Sequence, residues 1–222
     1  MTALFRYHLA MLLRSQRWLS PLLLYMVLLA VGVDSSGGVL DSLGLSAAAL
    51  LPVTAWLVRI CVTQEPDAAR DVTAAATGMP RAHLAALLTA TVCAAAIGLV
   101  GTAVVTAIAN PRRVEDLVDI TPLSAGTSGL LGALVCLLTG VTVGALFSRP
   151  LLRGRGWSIL LTGLFSLLAL VAPGSPANTV VNDLVNSSHG GGIPTHAPPL
   201  AAAALIAALA GGAVCVLGTR RG

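Results

Sequence analysis

Six apolar spans alternate with polar segments along this chain. Eleven of its thirteen arginines fall in, or at the edge of, every second segment, and none sits mid-span. This pattern constrains the fold more than any motif does. A helix needs about 20 apolar residues to cross hydrocarbon, and the loops it leaves on the cytoplasmic side keep the positive charge. The spans read as residues 17–33, 43–62, 84–109, 128–147, 157–172 and 200–218. The first and fifth are short, so their ends are expected to tilt, thin the bilayer or sit in the interface.

With the amino terminus inside, the inner segments hold Arg6, Arg14, Arg17, Arg59, Arg70, Arg81, Arg149, Arg153, Arg155, Arg220 and Arg221. Arg112 and Arg113 lie outside. The acids divide the other way, with Glu65, Asp67 and Asp71 inside and Asp34, Asp41, Glu115, Asp116, Asp119 and Asp183 outside. Eleven arginines against three acids give +8 on the inner side, and two against six give −4 on the outer side, which account for the net +4. Both termini are therefore placed in the cytoplasm. A composition that is 56% hydrophobic and 10% charged, with mean hydropathy +0.88, excludes an ordinary soluble domain. The pI near 9.3 then reflects an inner surface facing anionic lipid and does not point to nucleic-acid binding.

Cys61, Cys93, Cys136 and Cys215 all fall within or at the ends of spans, so a structural disulfide is not expected. Their spacing matches no metal motif, and they read as small buried apolar residues. Ala30-x-Gly32 resembles a signal-peptide cleavage site only weakly, because a long stretch precedes the apolar run. The chain is read as one membrane domain over residues 1–222.

Residues 4–19 are amphipathic. At 100° per residue, Arg6, Arg14 and Arg17 share an arc of about 80° while Phe5, Leu9, Leu12 and Leu13 point largely elsewhere. Such a segment lies in the inner headgroup layer, with Trp18 beside it, and Ser20-Pro21 reads as the start of the next helix. One long helix beginning in the cytoplasm is the alternative.

The segment after the second span spends about twenty residues where a turn needs only a few. Pro66 suits a first helical turn, and Glu65 and Asp67 complement the positive end of the helix dipole. Gly78 can end the helix and Pro80 prevents its continuation. A short cytoplasmic helix over residues 66–77 is expected, either as a docking surface for a cytosolic partner or as a passive helix on the lipid surface.

Gly98-x-x-Gly101 and Gly140-x-x-x-Gly144 allow close helix approach in lipid, either between subunits or within the chain. The acidic stretch from Glu115 to Asp119 suggests a surface turn of helix, and residues 178–186 a short re-entrant or surface helix. His189 and His196, beside glycines, lack a cysteine or carboxylate at ligand spacing and read as an outer loop.

The span interiors contain no Asp, Glu, Lys, Arg or His, with Arg59 near an inner end where it can snorkel. Ion-coupled carriers commonly use intramembrane ionisable groups. Neither a nucleophile with its base nor a glycine-rich phosphate loop with lysine is present. If this chain moves a solute, the energy comes from a separate subunit.

The amphipathic start bearing Arg14-Ser15-Gln16-Arg17-Trp18, followed by Pro21-Leu-Leu-Leu-Tyr25, resembles actinobacterial permeases of the ABC type-2 (exporter-type) family. The run from Val62 through Glu65-Pro66-Asp67 and Arg70-Asp71-Val72-Thr73 looks like their coupling helix, and the long segment 173–199 falls where that family places short external helices. The resemblance implies an all-α membrane protein of the bacterial plasma membrane. It would have six transmembrane helices, an interfacial amino-terminal helix and a cytoplasmic coupling helix. It also implies a dimer with a second permease copy or homologue, driven by cytosolic ABC ATPase subunits that carry the ATP and Mg. Glu65, Asp67, Arg70, Asp71 and Thr73 would dock on the ATPase, and an apolar path would carry a hydrophobic or amphiphilic cargo outward. The rivals are a non-catalytic assembly or immunity subunit, and a membrane enzyme acting on lipid.

Overall fold

The computed structural model describes residues 1–33, 38–109, 122–147, 155–188 and 197–221. Among these residues the regular structure is nine α-helices: α1 (Thr2–Ser15), α2 (Leu19–Gly32), α3 (Val39–Thr63), α4 (Asp67–Thr77), α5 (Met79–Ile108), α6 (Pro122–Leu146), α7 (Arg155–Val171), α8 (Pro176–Ser188) and α9 (Ala197–Arg221). The segments holding Arg112 and Arg113, Glu115 to Asp119, Arg149 and Arg153, and His189 and His196 lie outside the described residues.

Three helices, α3, α5 and α6, are long and apolar enough to cross a membrane. The pair α7 and α8 qualifies as a fourth when taken together across its 47° bend. α2 is apolar but shorter than a full crossing, and α9 runs 25 residues. At 1.5 Å per residue the 14 residues of α2 reach about 21 Å, against a hydrocarbon core of about 30 Å.

α3 is the hub. It is buried along nearly its whole length, with Leu50, Leu51, Val53, Ala55, Leu57 and Val58 fully enclosed. It packs against α2, α5, α6, α7 and α8. Lipid tails give little hydrophobic push between helices, so such packing depends on close backbone approach. The glycines provide it. A methyl group built on Gly140 would stand 2.6 Å from the Leu51 carbonyl, and one on Gly144 would stand 2.7 Å from Val58 and 2.9 Å from the Ala55 carbonyl. Gly129 accommodates Leu43 and Gly98 accommodates Leu50 in the same way. Both glycine pairs of the sequence therefore serve packing within the chain: Gly140 and Gly144 against α3, and Gly98 and Gly101 against Leu50 and Tyr25.

Several boundaries differ from the sequence reading for local reasons. α1 stops at Ser15 because Gln16 takes a left-handed conformation (φ 53°), so one continuous helix from the cytoplasm does not form. α2 begins at Leu19 with Trp18 before it, so Ser20 lies inside the helix and makes no cap. Pro80 occupies the first turn of α5, where its missing N–H costs nothing, and that helix starts five residues before the expected span. Gly78 (φ 88°) supplies the single corner between α4 and α5. α8 buries Ala177, Val180 and Leu184 completely against the bundle, and Asn178 donates to the Leu170 carbonyl at 2.7 Å across the α7–α8 break. That segment is neither a free surface helix nor a plain loop.

These contacts set one stability prediction. Gly144→Val overpacks the α3–α6 seam and should cost about 1–3 kcal/mol or more. Gly163→Ala, where a methyl meets nothing within 4 Å, should be neutral or stabilise by about 0.5–1 kcal/mol. Thermal unfolding of the two variants in detergent should separate them by sign.

Candidate docking site

One end of the bundle gathers the polar chemistry. α4 connects the end of α3 to the start of α5 there, and α1 packs on α5. Arg6, Arg14, Arg17, Arg70, Arg81, Glu65, Asp67 and Asp71 all lie on α1, on α4 or beside them, whereas Asp41 and Asp183 lie on helix segments at the other end. The charge asymmetry read from the sequence is therefore a spatial asymmetry among the described residues. Arg59 is tied to the neighbouring helix: its Nε donates to Ser158 Oγ at 3.4 Å, and Ser158 Oγ donates to the Phe147 carbonyl at 2.6 Å. That chain joins the end of α6 and the start of α7 to α3.

The five residues expected to dock a partner separate into two groups. Glu65 is only 8% exposed. Its Oε1 accepts from the Tyr7 hydroxyl at 3.2 Å and lies 2.9 Å from Thr73 Oγ1. Thr73 Oγ1 is also 2.7 Å from the Ala69 carbonyl, so its one proton is shared between a carboxylate and its own helix. Beside it, Gln64 Nε2 donates to the His8 carbonyl at 3.3 Å. Glu65 and Thr73 thus face inward and hold α4 to α1. Asp67 and Asp71 are exposed, while Arg70, 25% exposed, lies on the partly buried side of α4 with Thr73 and pairs with Asp67 one turn away. A surface pair of this kind contributes little stability.

The outward face of α4 carries Ala68, Val72, Ala75 and Ala76, all exposed, with Val72 at 70%. Their spacing places them on one stripe of a helix. The result is a low apolar ridge with Asp67 and Asp71 along one border, on a helix pinned from behind by Glu65, Thr73 and its contact with α5.

On α1 the buried side is Leu4, His8 and Leu12, while Arg6, Arg14 and Arg17 are exposed and Trp18 packs against the Leu12–Leu57 cluster. The sequence reading placed Leu13 on the apolar side, but Leu13 is 53% exposed and His8 takes the interior position. α1 therefore docks on protein as well as flanking it. Among the described residues neither ring nitrogen of His8 has a hydrogen-bond partner, and burial lowers its pKa from 6.5, opposed by the negative charge of Glu65. Burial, then the nearby Glu65 carboxylate and the hydrogen bond to it, raises the pKa of Tyr7. Tyr7 and His8 were missed by sequence reasoning. The signal was available for His8, which sits one turn from both Leu4 and Leu12. It was not available for Tyr7, whose partner is 58 residues away.

Two predictions follow from this corner. Tyr7→Phe keeps the ring but removes the bond to Glu65, and a net loss of about 1–2 kcal/mol is expected. The loss should appear as faster amide exchange in α4 and in the start of α1, with the helix content unchanged. For His8, the unfolded chain takes up a proton near pH 6.5 while the buried ring takes it up only at lower pH. Stability therefore rises with pH through that window and is lost as pH falls through it. Melting at pH 5.5 against pH 7.5 should show α1 loosening in acid, and His8→Leu should flatten that difference. Comparisons with protein-family models, with curated proteins and with solved structures find no match for this chain.

Proposed function

We propose that this chain is the transmembrane permease subunit of an ATP-driven ABC exporter in a bacterial plasma membrane, with α4 as its coupling helix. In this reading α2, α3, α5, α6, the α7–α8 pair and α9 are six spans, and both termini are cytoplasmic. Two permease subunits, identical or homologous, enclose a path for a hydrophobic or amphiphilic cargo. ATP and Mg are bound by separate cytosolic ATPase subunits.

The observation that carries the reading is the α4 ridge. A helix of 11 residues lies at the arginine-rich end with Val72 exposed, yet it is fastened to α1 and α5 from behind. A stiff element with an exposed apolar crest suits transmission of a push, because displacement of α4 passes into α3 and α5 at its two ends and into α1 through Glu65. Asp67, Arg70 and Asp71 would contact the ATPase together with Val72. Glu65 and Thr73 would fix the angle of the helix that bears them. The cargo path follows from chemistry: the helices supply apolar side chains and hydroxyls, which suit amphiphiles better than ions.

Purification in mild detergent tests the reading directly. A soluble protein with phosphate-loop ATPase motifs is expected to co-purify in stoichiometric amount. Burying Val72 at such an interface is worth about 1.5–3 kcal/mol, so Val72→Arg should weaken capture roughly tenfold or more while membrane insertion is unchanged. A preparation with no nucleotide-binding partner, even with an ATP analogue present, would move the assignment to an assembly or immunity subunit.

A further inference from the structure

Six buried side-chain polar atoms lack a hydrogen-bond partner among the described residues. Four of them lie where α1 meets the bundle: Nδ1 and Nε2 of His8, Nε1 of Trp18 and Oε1 of Gln64. A native interior rarely leaves such groups unpaired, and each bears the full cost of losing its water. The apolar contribution on the same seam is small. Of the 14 residues of α1, Leu4 and Leu12 are the buried apolar ones, with Phe5, Leu9 and Met11 partly covered. α1 has no glycine, so it lacks the notches by which α6 comes close to α3.

The polar links are correspondingly light. Two side-chain hydrogen bonds tie α1 to the bundle among the described residues: the Tyr7 hydroxyl to Glu65 Oε1 at 3.2 Å, and Gln64 Nε2 to the His8 carbonyl at 3.3 Å. Both are longer than the usual optimum for their type. Thr73 of α4 reaches the same Glu65 oxygen at 2.9 Å, so Glu65 keeps one donor when Tyr7 leaves. Gln16 then supplies a pivot. It is left-handed at φ 53° although it carries a side chain, and it concentrates the change of direction between α1 and α2. A joint of a few residues at the end of an element can absorb the rotation of that element.

We infer that α1 is a releasable strap, which docks on α5 and Glu65 in the described conformation and swings away about Gln16 to let water reach His8, Trp18 and Gln64. Docked, it restrains α4 through Tyr7 and Glu65; released, it leaves α4 held by α5 and by Thr73. Hydration of the four stranded atoms offsets the exposure of Leu4 and Leu12, so the two positions lie close in free energy. The inference concerns the amino-terminal helix and stands whether or not α4 meets an ATPase.

Hydrogen exchange read by mass spectrometry, on the full chain in lipid nanodiscs, tests it. In the wild type the amides of α1 should exchange together and far faster than those of α3. His8→Leu removes two of the stranded atoms with little change in volume. It should slow α1 exchange about tenfold or more, with α4 slowing alongside and α3 unchanged. Leu12→Ala weakens the apolar hold and should speed α1 and α4 together, so that if one variant does not fold the other still decides. Equal protection of α1 and α3 in the wild type overturns the inference. So does His8→Leu exchange in α1 as fast as the wild type's or faster, or a change in α1 that leaves α4 unaltered.

Discussion

The close approach of α3 and α6 is the contact on which the rest of the structure depends. α3 can be enclosed by α2, α5, α6, α7 and α8 only if some of those helices come nearer than ordinary side chains allow. Gly140 and Gly144 let the α6 backbone reach the Leu51 and Ala55 carbonyls, and Gly129 and Gly98 take in Leu43 and Leu50. In lipid this dispersion contact takes the place of the hydrophobic effect as the adhesive. Once α3 is fixed, the positions of both its ends follow. Ser46 near one end holds Tyr25 and so α2, and Arg59 near the other holds Ser158 and so α7.

The polar corner works by the opposite logic. Glu65 is mostly buried, and at that position a carboxylate needs donors. Tyr7 and Thr73 supply them from α1 and α4, so two helices that share little apolar surface are held by a shared acceptor. The outer face of α4 carries small apolar residues, with Asp67 and Asp71 along one border. Thr73 turns toward Glu65 while Asp71 is exposed, so residues two apart in sequence have different surroundings.

How much of this was legible in the residues varied with the range of the interaction. The α4 helix, with Pro66 before it and Gly78 after it, was readable because capping and stop signals act over a few residues. The inward turn of Glu65 was not, since its donor Tyr7 is distant in sequence. The glycine pairs announced close packing but not the partner, because an exposed stripe on one helix looks the same whether it meets another subunit or its own chain. His8 could be read from its place one turn from both Leu4 and Leu12, but only by setting aside the polar weight that an amphipathic wheel gives histidine.

By itself the sequence determined the class. Periodic apolar runs and the distribution of arginines require an all-α protein with transmembrane character, because hydropathy and charge placement are properties of the residues in the solvent they must occupy. Only the tertiary structure decided which helices run the full thickness, which faces they bury, and where α8 goes. It also decided that Glu65 fastens α4 while Val72 is left exposed. Those outcomes depend on pairs of residues far apart in the chain, whose contact energies exist only once the backbone has brought them together.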